Sequence, residues 1–352
     1  MSSVGVVITT WGGSPFLSGA LESIPSRIPR IVLDCQATTS SNTAAVVYAE
    51  DAPWNAYDTV ILADTAGELV RLPGFDLFVS NLAMKQYAKE FQGAFDAVLF
   101  RATSGTGLPA GGTGDATGGT FKAMLRVPVG INRRALSGVV GNQDRGTRYQ
   151  LRTDFAASTS VYLTAPTSQP TVTIDKYYEY YTLPAAQSNR GERQQQVPDD
   201  YGKLHFLTST DFANAPAASS TVNHYMIRIG NTIRWVGLIV RYGTGSQQRQ
   251  LAEQSVPTAL TFKIGDDLVF QDTWRYRRWC MGERYGANGF PDGTLIYDAI
   301  HDLIQSAGME VGDDYWYTQG LNNAQFIVTY PSGASAGTLH VITDDLQEVA
   351  AA

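Results

Sequence analysis

Side chains able to do acid–base, nucleophilic or metal chemistry are thinly scattered along this chain. The four histidines, His205, His224, His301 and His340, share no local motif. No HExxH sequence puts two imidazoles on one helix face for zinc, and there is neither a GxSxG nucleophile elbow nor a kinase signature set. Adjacent carboxylates recur at Asp199–Asp200, Asp266–Asp267, Asp313–Asp314 and Asp344–Asp345. Neighbours in sequence need not point into one cleft, so each pair reads as a turn or surface feature. The acidic set Asp298, Asp302, Glu310, Asp313 and Asp314 lacks the alternating spacing and central glycine of an EF-hand loop. The glycine-rich run TGLPAGGTGDATGGT, inside Thr103–Thr120, has no Lys-Ser or Lys-Thr ending to hold phosphates and magnesium, and reads as a surface loop. Cys35 and Cys280 are far apart without metal spacing, and read as two free thiols. No catalytic, cofactor-binding or metal-ligating residue is assigned, which favours a nonenzyme.

The polar groups that do cluster suit binding better than turnover. Arg133, Arg134, Arg145, Arg148 and Arg152 make one stretch basic within a chain of net charge -7. They fit solvated or intersubunit salt contacts first, an inner surface facing an acidic assembly component second, and nucleic-acid recognition third. A second cluster, Trp274, Arg275, Tyr276, Arg277, Arg278, Trp279, Arg284 and Tyr285, combines two residue types common at interface hot spots. A protein interface is preferred there over base stacking or fold packing. Tyr177, Tyr178, Tyr180 and Tyr181 are read as sheet packing, since no basic groove accompanies them. The interface candidates are therefore Arg133, Arg134, Arg145, Trp274, Arg275, Arg277, Arg278 and Trp279, and no specific nucleic-acid binding is expected.

The elements that must position these groups are mainly strands. Phe121–Phe155 (FKAMLRVPVGINRRALSGVVGNQDRGTRYQLRTDF) holds an alternating segment, a helix candidate from Asn132 to about Val140, and a second alternating segment. Strands are also expected at the N-terminal VGVVITTW, at Ile31–Ala37, at Ala44–Ala49, and on both sides of an Asp64–Gly67 turn. Further candidates are Phe75–Val79, Ala94–Ala102, Ser160–Ala165 and Thr171–Thr182. Short helices are expected in SPFLSGALESIPSRIP, at Asn81–Phe91 and at Tyr297–Ala307. After the polar Pro184–Asp200, strands are expected at Lys203–Leu207, Thr221–Ile229, Ile233–Tyr242, Leu260–Ile264, Leu268–Phe270, Gln325–Tyr330 and Thr338–Thr343. Regular strands with local turns fit a barrel or sandwich and fit alternating βα units poorly. No apolar run reaches the roughly 18 to 20 residues of a membrane span, and no signal-peptide core follows the N-terminus.

The pattern runs twice. DTVILADTAGELVRL is echoed by LTFKIGDDLVFQDT, the following NLAMKQY by WRYRRWCMGERY, and the strand, helix, strand unit by Gly293–Pro331, all in the same order. The division read from this is an N-terminal arm 1–27, a first domain 28–183, a linker 184–200, a second domain 201–346 and a tail 347–352.

These ordered features resemble the double jelly-roll major capsid proteins of tailless, internal-membrane-containing phages, the tectivirus group in particular. The likeness covers most of Ile28–Leu346 and is carried by IVLDCQATTSSNTAAVVYAEDAPWNAYDTVILADTAGELV, GFDLFVSN, RVPVGINRRALSGVVGNQDRGTRYQLRTDF, WRYRRW and FPDGTLIYD. It implies an all-β chain of two tandem eight-stranded jelly-roll barrels with short flanking helices, standing upright in a homotrimer with a pseudo-hexagonal footprint. The resemblance further implies an icosahedral shell in the virion, with synthesis in the host cytoplasm and no cofactor. Its implied partners are the chain itself, neighbouring capsomers, penton and minor membrane-associated capsid proteins, and possible peripheral contact with an internal membrane. The sequence departs from that group in having no basic amphipathic N-terminal helix. A trimeric spike or receptor-binding β-sandwich and a jelly-roll carbohydrate-active enzyme are the rival readings.

Overall fold

The computed structural model describes residues 3–8, 17–20, 26–38, 46–84, 100–102, 121–131, 138, 140–141, 149–167, 171–182, 203–215, 219–242, 256–285, 290–299, 315–332 and 337–348. Through Thr182 the elements are β1 (Ser3–Ile8), β2 (Leu17–Ala20), β3 (Ser26–Thr38), β4 (Val47–Tyr48), β5 (Tyr57–Ala63), β6 (Glu68–Leu72), helix α1 (Gly74–Ala83), β7 (Phe100–Ala102), β8 (Phe121–Pro128), β9 (Val140–Gly141), β10 (Gln150–Phe155), helix α2 (Ser158–Val161), β11 (Tyr162–Thr164) and β12 (Thr171–Thr182). Beyond it follow β13 (Lys203–Ala215), β14 (Thr221–Tyr225), β15 (Thr232–Tyr242), β16 (Ala259–Ile264), β17 (Asp267–Asp272), helix α3 (Trp274–Tyr285), β18 (Thr294–Asp298), β19 (Trp316–Tyr317), β20 (Ala324–Thr329) and β21 (Gly337–Glu348).

The alternation in Phe121–Pro128 does what its period requires. Phe121, Ala123, Leu125 and Val127 are buried, and they lie opposite Ala37, Cys35, Leu33 and Ile31 of β3 in the antiparallel register. Strands β1, β12, β3, β8 and β7 form one sheet in that order, with β9 also on β3. A second sheet runs β18, β15, β21, β13, β6, β5, β10, β2, with β19 on β15, and so passes from one half of the chain into the other. The crossing point is the parallel pair β6 and β13, where Leu207 faces Val70 and Thr208 faces Arg71. The sheet β14, β20, β16, β17 closes the core of the second half. Phe262 stacks on its cross-strand partner Phe326 at 4.5 Å between centroids, and Phe270 of β17 stacks on Tyr297 of β18 at 3.8 Å, so the second pair fastens this sheet to the other.

Local signals place the turns. Asp64 Oδ1 accepts from the amides of Ala66 and Gly67 at 2.7 and 2.8 Å, which fixes the turn between β5 and β6. Gly265, at φ 63°, makes the corresponding turn between β16 and β17. Each hairpin is followed at once by a helix, α1 in the first half and α3 in the second, so the repeated order read from the sequence is visible in the elements.

Several expectations change. Phe75–Val79 is helical: α1 begins at Gly74, after Pro73, and all of its residues are buried. A helix buried on every side, with Asp76, Ser80 and Asn81 held inside, presents no solvent face to mark its period, and its short apolar run imitates a strand. The helix expected over Asn81–Phe91 contributes only its first three residues to α1; residues 85–91 lie outside the described residues. It is therefore GFDLFVSNLA that corresponds to α3. Within SPFLSGALESIPSRIP, Leu17–Ala20 is a strand, because it completes the edge of β10 in register with Gln150–Thr153. Of the helix expected from Asn132, residues 132–137 and 139 lie outside the described residues, and Val140 pairs with Ile28 in a strand. Ser158–Val161 is one helical turn before β11, where a strand was expected from Ser160. Tyr297 and Asp298, expected to open a helix, close β18 on its ladder with β15; residues 300–307 lie outside the described residues, as do 103–120 and 184–200.

Candidate functional site

Helix α3 gathers most of the residues singled out for binding. Thr273 caps it, its hydroxyl accepting from the Tyr276 amide at 3.3 Å. Trp274 is buried in the core, and so are Met281 and Tyr285. Arg277 turns inward: its Nε donates to the Ile296 carbonyl at 2.9 Å and its guanidinium lies 4.2 Å from the Tyr297 ring centroid. Arg278 donates to the carbonyls of Pro291, Thr294 and Phe290 and pairs with Asp292 at 3.2 Å. Arg284 and the Tyr285 hydroxyl both hydrogen-bond Asp298. These arginines tie the helix to β18, and the outward positions are Arg275, Tyr276, Trp279 and Glu283. Arg133, Arg134 and Arg145 lie outside the described residues; Arg152 is exposed on β10 and pairs with Asp154 at 3.0 Å.

The feature that sequence reading missed is a buried charged seam between the halves. Asp76 of α1 accepts from Ser209 Oγ of β13 at 2.7 Å, lies 3.3 Å from His340 Nδ1 of β21 and 3.8 Å from Arg241 of β15. Arg241 also pairs with Asp51 and sits 5.3 Å from the Phe75 ring centroid. Burial pushes the Asp76 carboxyl up, but His340, Arg241 and Ser209 outweigh it and hold it below the usual carboxylate range. A second group lies nearby on β21. Asp344 pairs with Arg234 at 2.7 Å and with His205 Nε2 at 3.2 Å, and burial is again outweighed by these partners. His205 Nδ1 lies 3.1 Å from the Val129 carbonyl, so this imidazole joins β21 to the segment after β8. Gly138 approaches from the same segment at φ 78°; a Cβ there would stand 2.5 Å from His205 Cβ. Asp345 binds Arg228 and Asn231, yet burial prevails and raises its pKa.

The Asp344–Asp345 pair is thus interior, contrary to its expected place at the surface, whereas Asp266 and Asp267 are exposed as expected. The usable signal was an arginine at each end of the apolar run IRWVGLIVRY. Charges inside a strand whose residues Ile233–Arg241 are all buried must find buried partners. Among the described residues, no group of three or more His, Cys, Asp or Glu side chains is arranged to hold a metal ion, and no helix is long and apolar enough to cross a membrane.

No family model and no curated protein matches the sequence. Solved structures do match, end to end. The major capsid protein of STIV, the Sulfolobus turreted icosahedral virus, aligns with a TM-score of 0.62 at 12% identity, over 98% of this chain and 97% of that one. The major capsid protein of bacteriophage PM2 aligns at 0.53 and 10% identity over 99% and 98%, and the Faustovirus major capsid protein at 0.59 and 8% over 99% and 90%. At these identities the likeness is one of fold: this chain folds as the major capsid proteins of double jelly-roll viruses do.

Proposed function

We propose that this chain is a viral major capsid protein, a structural building block without enzymatic activity or cofactor. The observation that carries the reading is the span of the likeness, 98% of this chain against 97% of the STIV protein, which includes both halves. The strand order of the second half supports an eight-stranded jelly roll there, and the repeated order of elements extends the reading to a second one in the first half. In the second half, β13, β21, β15 and β18 share one sheet while β14, β20, β16 and β17 share the other, so the chain alternates between facing sheets as a double Greek key does. In this reading two upright barrels per chain, three chains per capsomer, give a pseudo-hexagonal block that tiles an icosahedral shell around an internal membrane. Neighbouring capsomers, penton and minor membrane-associated proteins are the partners, the virion is the destination after synthesis in the host cytoplasm, and Arg133, Arg134 and Arg145 are assembly contacts.

The seam suits this role, because a block that bears load from its neighbours needs its two halves fixed to each other. Sedimentation equilibrium of the purified chain, together with electron microscopy of particles labelled through a tag on it, tests the reading. Three chains per solution particle and label repeated over the whole shell are expected. A monomer at high concentration, or label confined to vertices, contradicts it. Charge reversal at Arg133 and Arg134 leaves capsomers intact and blocks shell formation.

A further inference from the structure

The outward face of α3 carries Arg275, Trp279 and Glu283 at four-residue intervals, all exposed. Tyr276 lies beside Trp279; their rings stack at 6.1 Å and are 54% and 58% exposed. Because Arg277, Arg278 and Arg284 are turned toward β18, this face has one positive end, an aromatic middle and one negative end. Arg275 and Glu283 stand eight residues apart, about 12 Å along the axis.

We propose that this face is a two-fold contact with α3 of a second copy of the chain. Set antiparallel about an axis near Trp279, the Arg275 guanidinium of each copy meets the Glu283 carboxylate of the other, and the two aromatic pairs cover one another. The charge order reads the same from either copy, which is what an isologous contact requires: one patch on both subunits, with residue i meeting j and j meeting i. Antiparallel helices also oppose their dipoles favourably. A polyanionic surface would meet Glu283 with repulsion, whereas a second copy meets it with Arg275. Contacts inside a three-fold capsomer are heterologous, so this one lies between capsomers, and in that respect it rests on the capsid reading. One helix face per copy buries far less than the ~1,600 Å² of a standard interface, so each contact is weak and is effective only by repetition across a shell.

The test uses the full chain carrying Trp279→Cys with Cys280→Ser, oxidised at concentrations where the native protein associates, with an unchanged melting temperature as the check on folding. Disulfide-linked chain pairs are expected, with the native particle at least doubling in mass because each of a capsomer's three α3 faces can join it to another capsomer. Adding Arg275→Glu or Glu283→Arg alone lowers the linked yield by about tenfold, since both ion pairs of the contact become repulsive, and combining the two reversals restores it. The proposal is overturned by absence of linked pairs, by indifference to the single reversals, by failure of the combined reversal to restore linkage, or by links that leave the particle mass unchanged. If the chain is found throughout shells and yet does not link, this inference alone falls; if it is absent from shells, the capsid reading falls.

Discussion

At the scale of single residues, the informative positions are those where chemistry and burial conflict. Cys35 is fully buried, and burial pushes its thiol up to about 12, whereas Cys280 is half-buried on α3; both are free. The thiolate is the reactive form, so a thiol reagent at pH 8 should label one cysteine of the native protein and two after unfolding. Fast labelling of both in the native state would contradict the burial of β3. Gly138 presents a different conflict, since its backbone is left-handed and its missing Cβ makes room for His205. Gly138→Ala is expected to cost roughly 2–4 kcal/mol by backbone strain and overpacking together, read as a lowered denaturation midpoint. A loss below about 0.5 kcal/mol would mean that the segment after β8 does not press on β13 as described.

At the scale of elements, α1 is the part on which both halves converge. Its own half is held by Asn81, whose Nδ2 donates to the Arg126 carbonyl at 2.8 Å while its Oδ1 accepts from the Arg126 amide at 2.8 Å. A side-chain amide thereby satisfies a stretch of β8 beyond its pairing with β7, which ends at Ala123. The other half is held by Asp76 through Ser209, His340 and Arg241. Asn81→Leu leaves both backbone groups of Arg126 buried without this partner, and a destabilisation of about 2–4 kcal/mol is expected in urea unfolding. Hydrogen exchange gives a second reading: the Arg126 amide should lose protection in the variant, and retention of native protection would sink the assignment. The hairpin before α1 was legible in the sequence because Asp64 and Gly67 act within four residues. The helix itself was not legible, because its periodicity is erased by burial on every side.

At the scale of the whole molecule, the seam makes stability depend on pH in a way that can be signed. Asp76 and Asp344 have folded pKa values below the ordinary carboxylate value of about 3.9, so the stability they contribute is complete above that pH and is lost as the pH falls through their folded values. Asp34 and Asp345 are raised by burial and act in the opposite sense: they favour the folded state at low pH, and that contribution fades as the pH rises through their folded values. Asp76→Asn should therefore be destabilised by about 1–3 kcal/mol at pH 7, with the difference from the native chain shrinking below about pH 4. A difference that stays constant from pH 7 to 3 would remove Asp76 from the seam. By itself the sequence determined the β-rich class, the hairpin turns, the alternating core faces of β8 and β10, and a pattern used twice, because each follows from local period and turn chemistry. Tertiary structure alone decided that α1 is a buried wedge, that Asp344 and Asp345 are interior, that the halves share one sheet through β6 and β13, and which residues of α3 remain outside. Those facts depend on partners outside the local period, from fewer than twenty residues away for the arginines of α3 to 190 between Asp51 and Arg241, and no local pattern encodes such a partner.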